Sequence, residues 1–271
     1  MNGLQNLLSI ATLAARRAAA HIRAQRRPAT EGWDLKGTSD FVTVVDRETE
    51  AIIAETLVDG APDSAVLGEE LTPDTTVADL LWVVDPLDGT TNYLHGYPAY
   101  AVSIAGLVDG EPKVGVVLDV PHDALYHATA RGGAWCGGQR LEVSQINDPT
   151  HALIGTGWPF KRPQLLSAYL SHFSAILRAT AGIRRGGAAS LDLVDVALGR
   201  FEGFFEPYLA PWDVAAGALI VREAGGVVTD YTGEDEILRH GGFVAGNPTI
   251  HRWLLGILHQ QDAGAVVSDL P

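Results

Sequence analysis

Two aspartates three residues apart, Asp85 and Asp88, follow the apolar run at residues 80–84, and the chain then turns through Gly89 into two hydroxyls, Thr90 and Thr91. Carboxylates delivered together by the end of a strand offer hard oxygen ligands to a cation such as Mg²⁺. A glycine followed by two threonines that open a helical turn offers backbone N–H groups to an anion, and Gly89 lets that backbone come close to it. Pro86 has no N–H and holds Asp85 extended, which predicts that the strand stops there. A bare D-x-x-D-G is an ordinary turn; the full stretch WVVDPLDGTTNYLH at 82–95 is far more restrictive.

Two other acidic points repeat the theme. SAVLGEE at 64–70 reads as a buried strand ending in adjacent carboxylates, Glu69 and Glu70, and open sheets place ligand groups at strand ends. Adjacent acids in a loop are otherwise plain solvated charge. Asp213 opens the helix of WDVAAGALIVREAGG, whose small residues permit close packing on a sheet; a helix cap alone would account for an Asp there. Asp46, after the strand expected at 41–45, likewise sits where an N-cap would.

These points need elements to carry them. Leu4, Leu7, Leu8, Ala11, Ala14, Ala15, Ala18 and Ile22 fall at helical spacing, so the acid-free, arginine-bearing first thirty residues are expected as a packed amphipathic helix rather than a transit peptide. Residues 99–130 read as a meander divided by Asp109-Gly110 and Pro121, and 132–144 continue it as short strands. From 151 onward strands and helices alternate, which argues for an α/β layer. The expected division is an α+β half at 1–147 and an α/β half at 148–271, with the linker at 145–150 between them; 260–271 reads as frayed.

Composition bounds the partners. A chain of 271 residues can bury a sizeable core, and no run approaches the ~18 apolar residues of a membrane span. The net charge of −14 argues against nucleic acid and anionic membrane surfaces, and makes cations necessary for handling phosphate. The single cysteine, Cys136, rules out an internal disulfide and suits a reducing cytoplasm.

Taken together, GEE at 68–70, WVVDPLDGTTNYLH at 82–95 and PWDVAAGALIVREAGG at 211–226 resemble, in order, the metal-site segments of the inositol monophosphatase family, relatives of fructose-1,6-bisphosphatase. The resemblance implies a layered αβαβα sandwich of α/β class and a phosphomonoesterase using two to three Mg²⁺ ions, with Mn²⁺ as substitute. It implies metal ligation by Glu69, Asp85, Asp88, Asp213 and the Leu87 carbonyl, an oxygen set unsuited to zinc. It implies that Thr90, paired with Asp46, and Glu69 act on the attacking water. Substrate contacts would fall to Asp88, Gly89, Thr90, Thr91, Gly187, Ala189 and Glu206, and Lys36 matches a loop lysine near the metals. Inositol 1-phosphate is the expected substrate, with histidinol phosphate, fructose 1,6-bisphosphate or adenosine 3′,5′-bisphosphate as alternatives and a fold-retaining binding module as the non-enzymatic one. Lithium sensitivity and a homodimer follow from the same resemblance.

Overall fold

The computed structural model describes residues 2–37, 40–72, 78–236 and 238–268. Helix α1 (Asn2–Ala24) is followed by the small hairpin β1 (Asp34–Gly37) and β2 (Asp40–Val42), then α2 (Val44–Gly60). Next come β3 (Ala65–Gly68), β4 (Leu80–Asp88), the short α3 (Thr90–His95), and the meander β5 (Ala101–Val108), β6 (Glu111–Asp119), β7 (Ala124–Thr129), β8 (Gly133–Cys136) and β9 (Gln139–Arg140). The remainder is β10 (Leu153–Thr156), α4 (Leu166–Ala179), β11 (Gly182–Arg184), α5 (Ala189–Ala197), β12 (Gly203–Leu209), α6 (Pro211–Glu223), β13 (Val227–Asp230), β14 (Gly241–Gly246) and α7 (Pro248–Ser268).

Strands β3 to β9 form one seven-stranded sheet in sequence order, in which only β3 and β4 run parallel. The other main sheet has the order β11-β10-β12-β14-β13, parallel among its first three strands and antiparallel at β14. Five layers result. Helices α1 and α2 bury the expected alanine and leucine stripe against one face of the larger sheet, around Trp82, Ile104 and Leu118. Helices α5 and α6 lie between the sheets, where Leu193 and Ala216 meet Ala105, Val117 and Phe204. Helices α4 and α7 cover the outer face of the smaller sheet, around Tyr169, Phe205 and Leu254. The neighbours Phe204 and Phe205 serve the two opposite layers, as the period of two along a strand requires. This is the αβαβα sandwich of α/β class. No helix among the described residues is long and apolar enough to cross a membrane.

Four local expectations are corrected. Strand β4 does not stop at Pro86: its register with β5 slips between Asp85 and Asp88 and pairing resumes at Asp88↔Ala101, so the proline sits in a bulge where no ladder donor is missed. The strand expected at 41–45 ends at Val42, because Thr43 caps α2 and Asp46 is the third helical residue, not the cap. The cap of α6 is Ala210, three residues before Asp213. The last helix runs on to Ser268 instead of fraying after His259. Strands β11 and β13 were not expected; both are short, of three and four residues.

Candidate active site

Where β4 ends, the chain's own backbone fixes the acids. The Leu87 N–H donates to Asp85 Oδ1 at 2.9 Å, and Ser190, at the start of α5, donates its N–H and hydroxyl to Asp88 Oδ2 at 2.8 and 2.5 Å. Gly89 then takes φ +88°, and a Cβ there would stand 2.8 Å from the Ala99 carbonyl, so only glycine makes this turn without strain. Asn92 donates its Nδ2 to the Ala99 and Gly186 carbonyls, which ties α3 to the entry of α5.

The Thr90 hydroxyl lies 2.9 Å from Asp46 Oδ1 and 3.0 Å from the Leu87 carbonyl. Asp46 Oδ2 meanwhile accepts from the Thr43 N–H and hydroxyl at 2.8 and 2.6 Å, a reciprocal capping arrangement that locks the carboxylate. Asp213 Oδ2 accepts from the Ala210 N–H at 2.7 Å. Glu69 depends on a support the sequence did not reveal: buried Glu50 accepts the N–H groups of Glu70, Leu71 and Thr72 and so clamps the turn that carries Glu69. Gly68 leaves room for it, since a Cβ there would stand 2.1 Å from Glu50 Oε1.

These groups converge on one cleft of about 670 Å³. It is lined by Glu69, Asp85, Leu87, Asp88, Gly89, Thr90, Thr91, Gly187, Ala189, Glu206 and Asp213, which is every expected site residue except Asp46, and Asp46 is held directly behind Thr90. Glu206 is buried, and Gly157 faces it so closely that a Cβ would stand 2.0 Å from Glu206 Oε2. The Lys36 side chain lies outside the described residues. The sequence reading did not foresee Asp192, Trp158, Phe160, Tyr208, Trp212 and His240 in the lining. Lys161, Arg162 and Arg185 add three cations to the same lining. Thr43 could have been found from the T-x-x-D spacing to Asp46; Ser190 and Glu50 carry no local signal.

Electrostatically the cleft is a store of buried negative charge. Burial, with the neighbouring charges of Glu69, Asp88 and Asp213, pushes the Asp85 carboxyl well above the usual range. Burial also raises Asp88, against the opposing pull of the Ser190 hydrogen bonds. Asp213 is pushed up to about 7 by burial, an effect that Lys161 moderates and Glu69 adds to. Glu206 and Asp192 are raised well above the ordinary value, first by burial and then by other acids of the cleft. Among the described residues no three acid, histidine or cysteine side chains close into a ready-made metal cage. The fit to a hard divalent cation rests instead on donor type and charge: Glu69, Asp85, Asp88, Asp213 and the Leu87 carbonyl offer oxygen, and the chain's own hydrogen bonds to Asp85 and Asp213 fall on one oxygen of each. Carboxylates that repel one another in a low-dielectric cleft gain most from a divalent ion.

Comparison with known proteins agrees over nearly the full length. The Pseudomonas aeruginosa protein named Nus factor SuhB is 45% identical over 258 residues, covering 93% of this chain and 95% of that protein. The inositol monophosphatase structure from Anabaena has a TM-score of 0.86 at 36% identity, covering 95% of this chain and 97% of that one. SaIMPase-II, the inositol monophosphatase-II of Staphylococcus aureus, solved with inositol monophosphate bound, has a TM-score of 0.80 at 30% identity and 96% coverage of both chains. Residues 3–263 match the model of the inositol monophosphatase family, and the chain belongs to that family.

Proposed function

We propose that the protein hydrolyses phosphate monoesters, with inositol 1-phosphate and similar polyol monophosphates as its substrates, acting in the cytoplasm as a homodimer. The observation that carries this reading is the Thr90–Asp46 hydrogen bond at the edge of a cleft lined by Glu69, Asp85, Asp88 and Asp213. Two to three Mg²⁺ ions held by those four acids and the Leu87 carbonyl would supply charge neutralisation at the phosphate, and Mn²⁺ would substitute. The N–H groups of residues 89–91, at the opening turn of α3, would take phosphate oxygens. Thr90 orients the attacking water and relays its proton to Asp46. Burial raises the Asp46 carboxyl, which makes it a better base near neutral pH. Glu69 orients the same water. Glu206 and the backbone at Gly187 and Ala189 face the alcohol half of the substrate, where a buried carboxylate accepts hydrogen bonds from hydroxyls.

A second phosphate on the substrate is disfavoured. Three cations line the cleft, but each already faces protein: Lys161 reaches Glu69, Arg162 lies on the Tyr208 ring, and Arg185 acts on Asp192 and Glu206. The expected outcome with a panel of phosphate monoesters is Mg²⁺-dependent phosphate release that disappears in chelator and is inhibited by Li⁺. The kcat/KM for inositol 1-phosphate should exceed that for fructose 1,6-bisphosphate or adenosine 3′,5′-bisphosphate by about tenfold, or ~1.4 kcal/mol of transition-state discrimination. Undiminished turnover after exhaustive metal removal would sink the reading. The 45% identity to a Nus factor supports a second role alongside this one. With a net charge of −14, that role would run through protein contacts and not through nucleic acid.

A further inference from the structure

The segment at 157–162 bridges the cleft. It supplies six consecutive lining residues, from Gly157 to Arg162. One end is fastened to the wall it springs from, where Arg162 Nη2 donates to the Tyr208 hydroxyl at 3.0 Å and its guanidinium lies 4.7 Å from that ring's centre. The other fastening crosses the cleft: Lys161 Nζ stands 3.5 Å from Glu69 Oε1, between residues 92 apart in sequence. The Glu69 side chain is largely removed from solvent at 14% exposure, while that of Lys161 keeps 33%. Lys161 is also the main positive charge acting on Asp213. One flexible ammonium is therefore set against two of the four acids proposed as metal ligands.

We propose that Lys161 is a tethered competitor of the divalent cation: its ammonium is the built-in counter-charge of Glu69 and Asp213, and metal loading displaces it and loosens the 157–162 segment. This rests on the metal-dependent reading above. The physical reason is exclusion by charge and place, since an ammonium and a divalent ion cannot both sit against the same carboxylate oxygens without repulsion. The lysine would hold the empty cleft together and set a threshold of metal concentration for its opening. Arg162 keeps its hold on Tyr208 throughout, so displacement would turn the segment about that anchor and not release it. Trp158, 41% exposed and in ring contact with Tyr169 and Phe173, lies on the same segment and reports such a movement.

The test uses the full chain without substrate. Mg²⁺ is titrated calorimetrically into the wild type, Lys161→Gln and Lys161→Arg, and the wild type is compared with Trp158→Phe by tryptophan fluorescence over the same titration. Lys161→Gln should bind Mg²⁺ at least about threefold more tightly, a change of the size expected for losing one partly screened charge pair. Lys161→Arg should stay close to wild type, and a Mg²⁺-dependent fluorescence change should be present in the wild type and lost in Trp158→Phe. Equal or weaker Mg²⁺ binding by Lys161→Gln overturns the competitor role while leaving the metal-dependent reading intact. Mg²⁺ binding to none of the three proteins overturns both.

Discussion

The two walls of the cleft are built in different ways. On the wall formed by β4, α3 and the start of α2, each acid is fixed by backbone or by a buried hydroxyl: Asp85 by the Leu87 N–H, Asp88 by Ser190, Asp46 by Thr43. The facing wall, from residues 157–162 and 206–212 together with His240, is made of aromatic and cationic side chains that hold one another. Arg162 lies on Tyr208, Tyr208 stacks with His240 at 5.8 Å, and His240 meets the edge of Trp212 at 5.6 Å. Backbone bonds fix position to a fraction of an ångström, whereas ring and guanidinium contacts tolerate exchange of one side chain for another. The first kind suits groups that act on a phosphate common to all substrates, and the second suits groups that meet the variable alcohol. Glu206 belongs to the facing wall by position, yet it is buried as deeply as the acids opposite.

If that division is right, the largest effect should come from the fixed wall. Asp88→Asn removes one negative charge from the proposed ligand set but keeps an oxygen for the Ser190 N–H and hydroxyl, so the fold should survive. We expect turnover to fall about a thousandfold, the scale seen when one preorganised electrostatic group is lost. A variant with wild-type kcat and an unchanged circular dichroism spectrum would reduce Asp88 to a turn residue that joins β4 to α5.

Next in size is Thr90→Ala, which cuts the path between water and Asp46 without altering charge. The expected loss is about a hundredfold in kcat with little change in KM, because the hydroxyl acts on the transition state and not on bound substrate. Thr90→Ser should recover most of it. An effect confined to KM would move Thr90 from proton transfer to substrate binding and blur the contrast between the walls.

The fixed wall was also the legible one. Asp85, Asp88, Gly89, Thr90 and Thr91 lie in one short stretch whose types and spacing suggest a cation beside an anion, while the full ligand set and the part of Asp46 came from the family resemblance. The bulge at Pro86 was not legible, because the slip in register depends on how β4 pairs with β5, which no residue of β4 declares by itself. The facing wall was mostly silent for a related reason. Arg162 meets Tyr208 only because β10 and β12 are neighbours in the smaller sheet, and Lys161 meets Glu69 only because the segment after β10 reaches the turn after β3. Glu50 illustrates the same limit inside a well-read helix. Its place on α2 predicts burial or exposure, not that three successive N–H groups from another segment will be aimed at it.

The smallest expected effect tests Glu206, the residue that fits neither wall cleanly. Its carboxyl is raised well above the ordinary glutamate value, chiefly by burial and then by Asp213 and Asp192, while Arg185 offsets part of this. A group whose folded pKa lies above its unfolded value stabilises the fold fully below the unfolded pKa, and that contribution is lost as pH rises through the folded one. In chelator, then, the protein should lose stability as pH climbs from about 4.5, the ordinary glutamate value, toward neutrality, with Asp85, Asp88 and Asp213 acting in the same direction. Glu206→Gln keeps the shape and removes the buried charge. At pH 7.5 in chelator its Tm should rise by about 2–4 °C, which for a chain of this size corresponds to ~1 kcal/mol, and its Tm should depend less on pH than that of the wild type. The same substitution should lower kcat/KM for inositol 1-phosphate, since a neutral amide accepts a hydroxyl hydrogen bond more weakly than a carboxylate. Higher stability together with poorer catalysis would show that the facing wall keeps a strained acid for its substrate. A Tm that falls, or activity that is untouched, would make Glu206 a structural acid and leave substrate choice to the aromatic and cationic side chains around it.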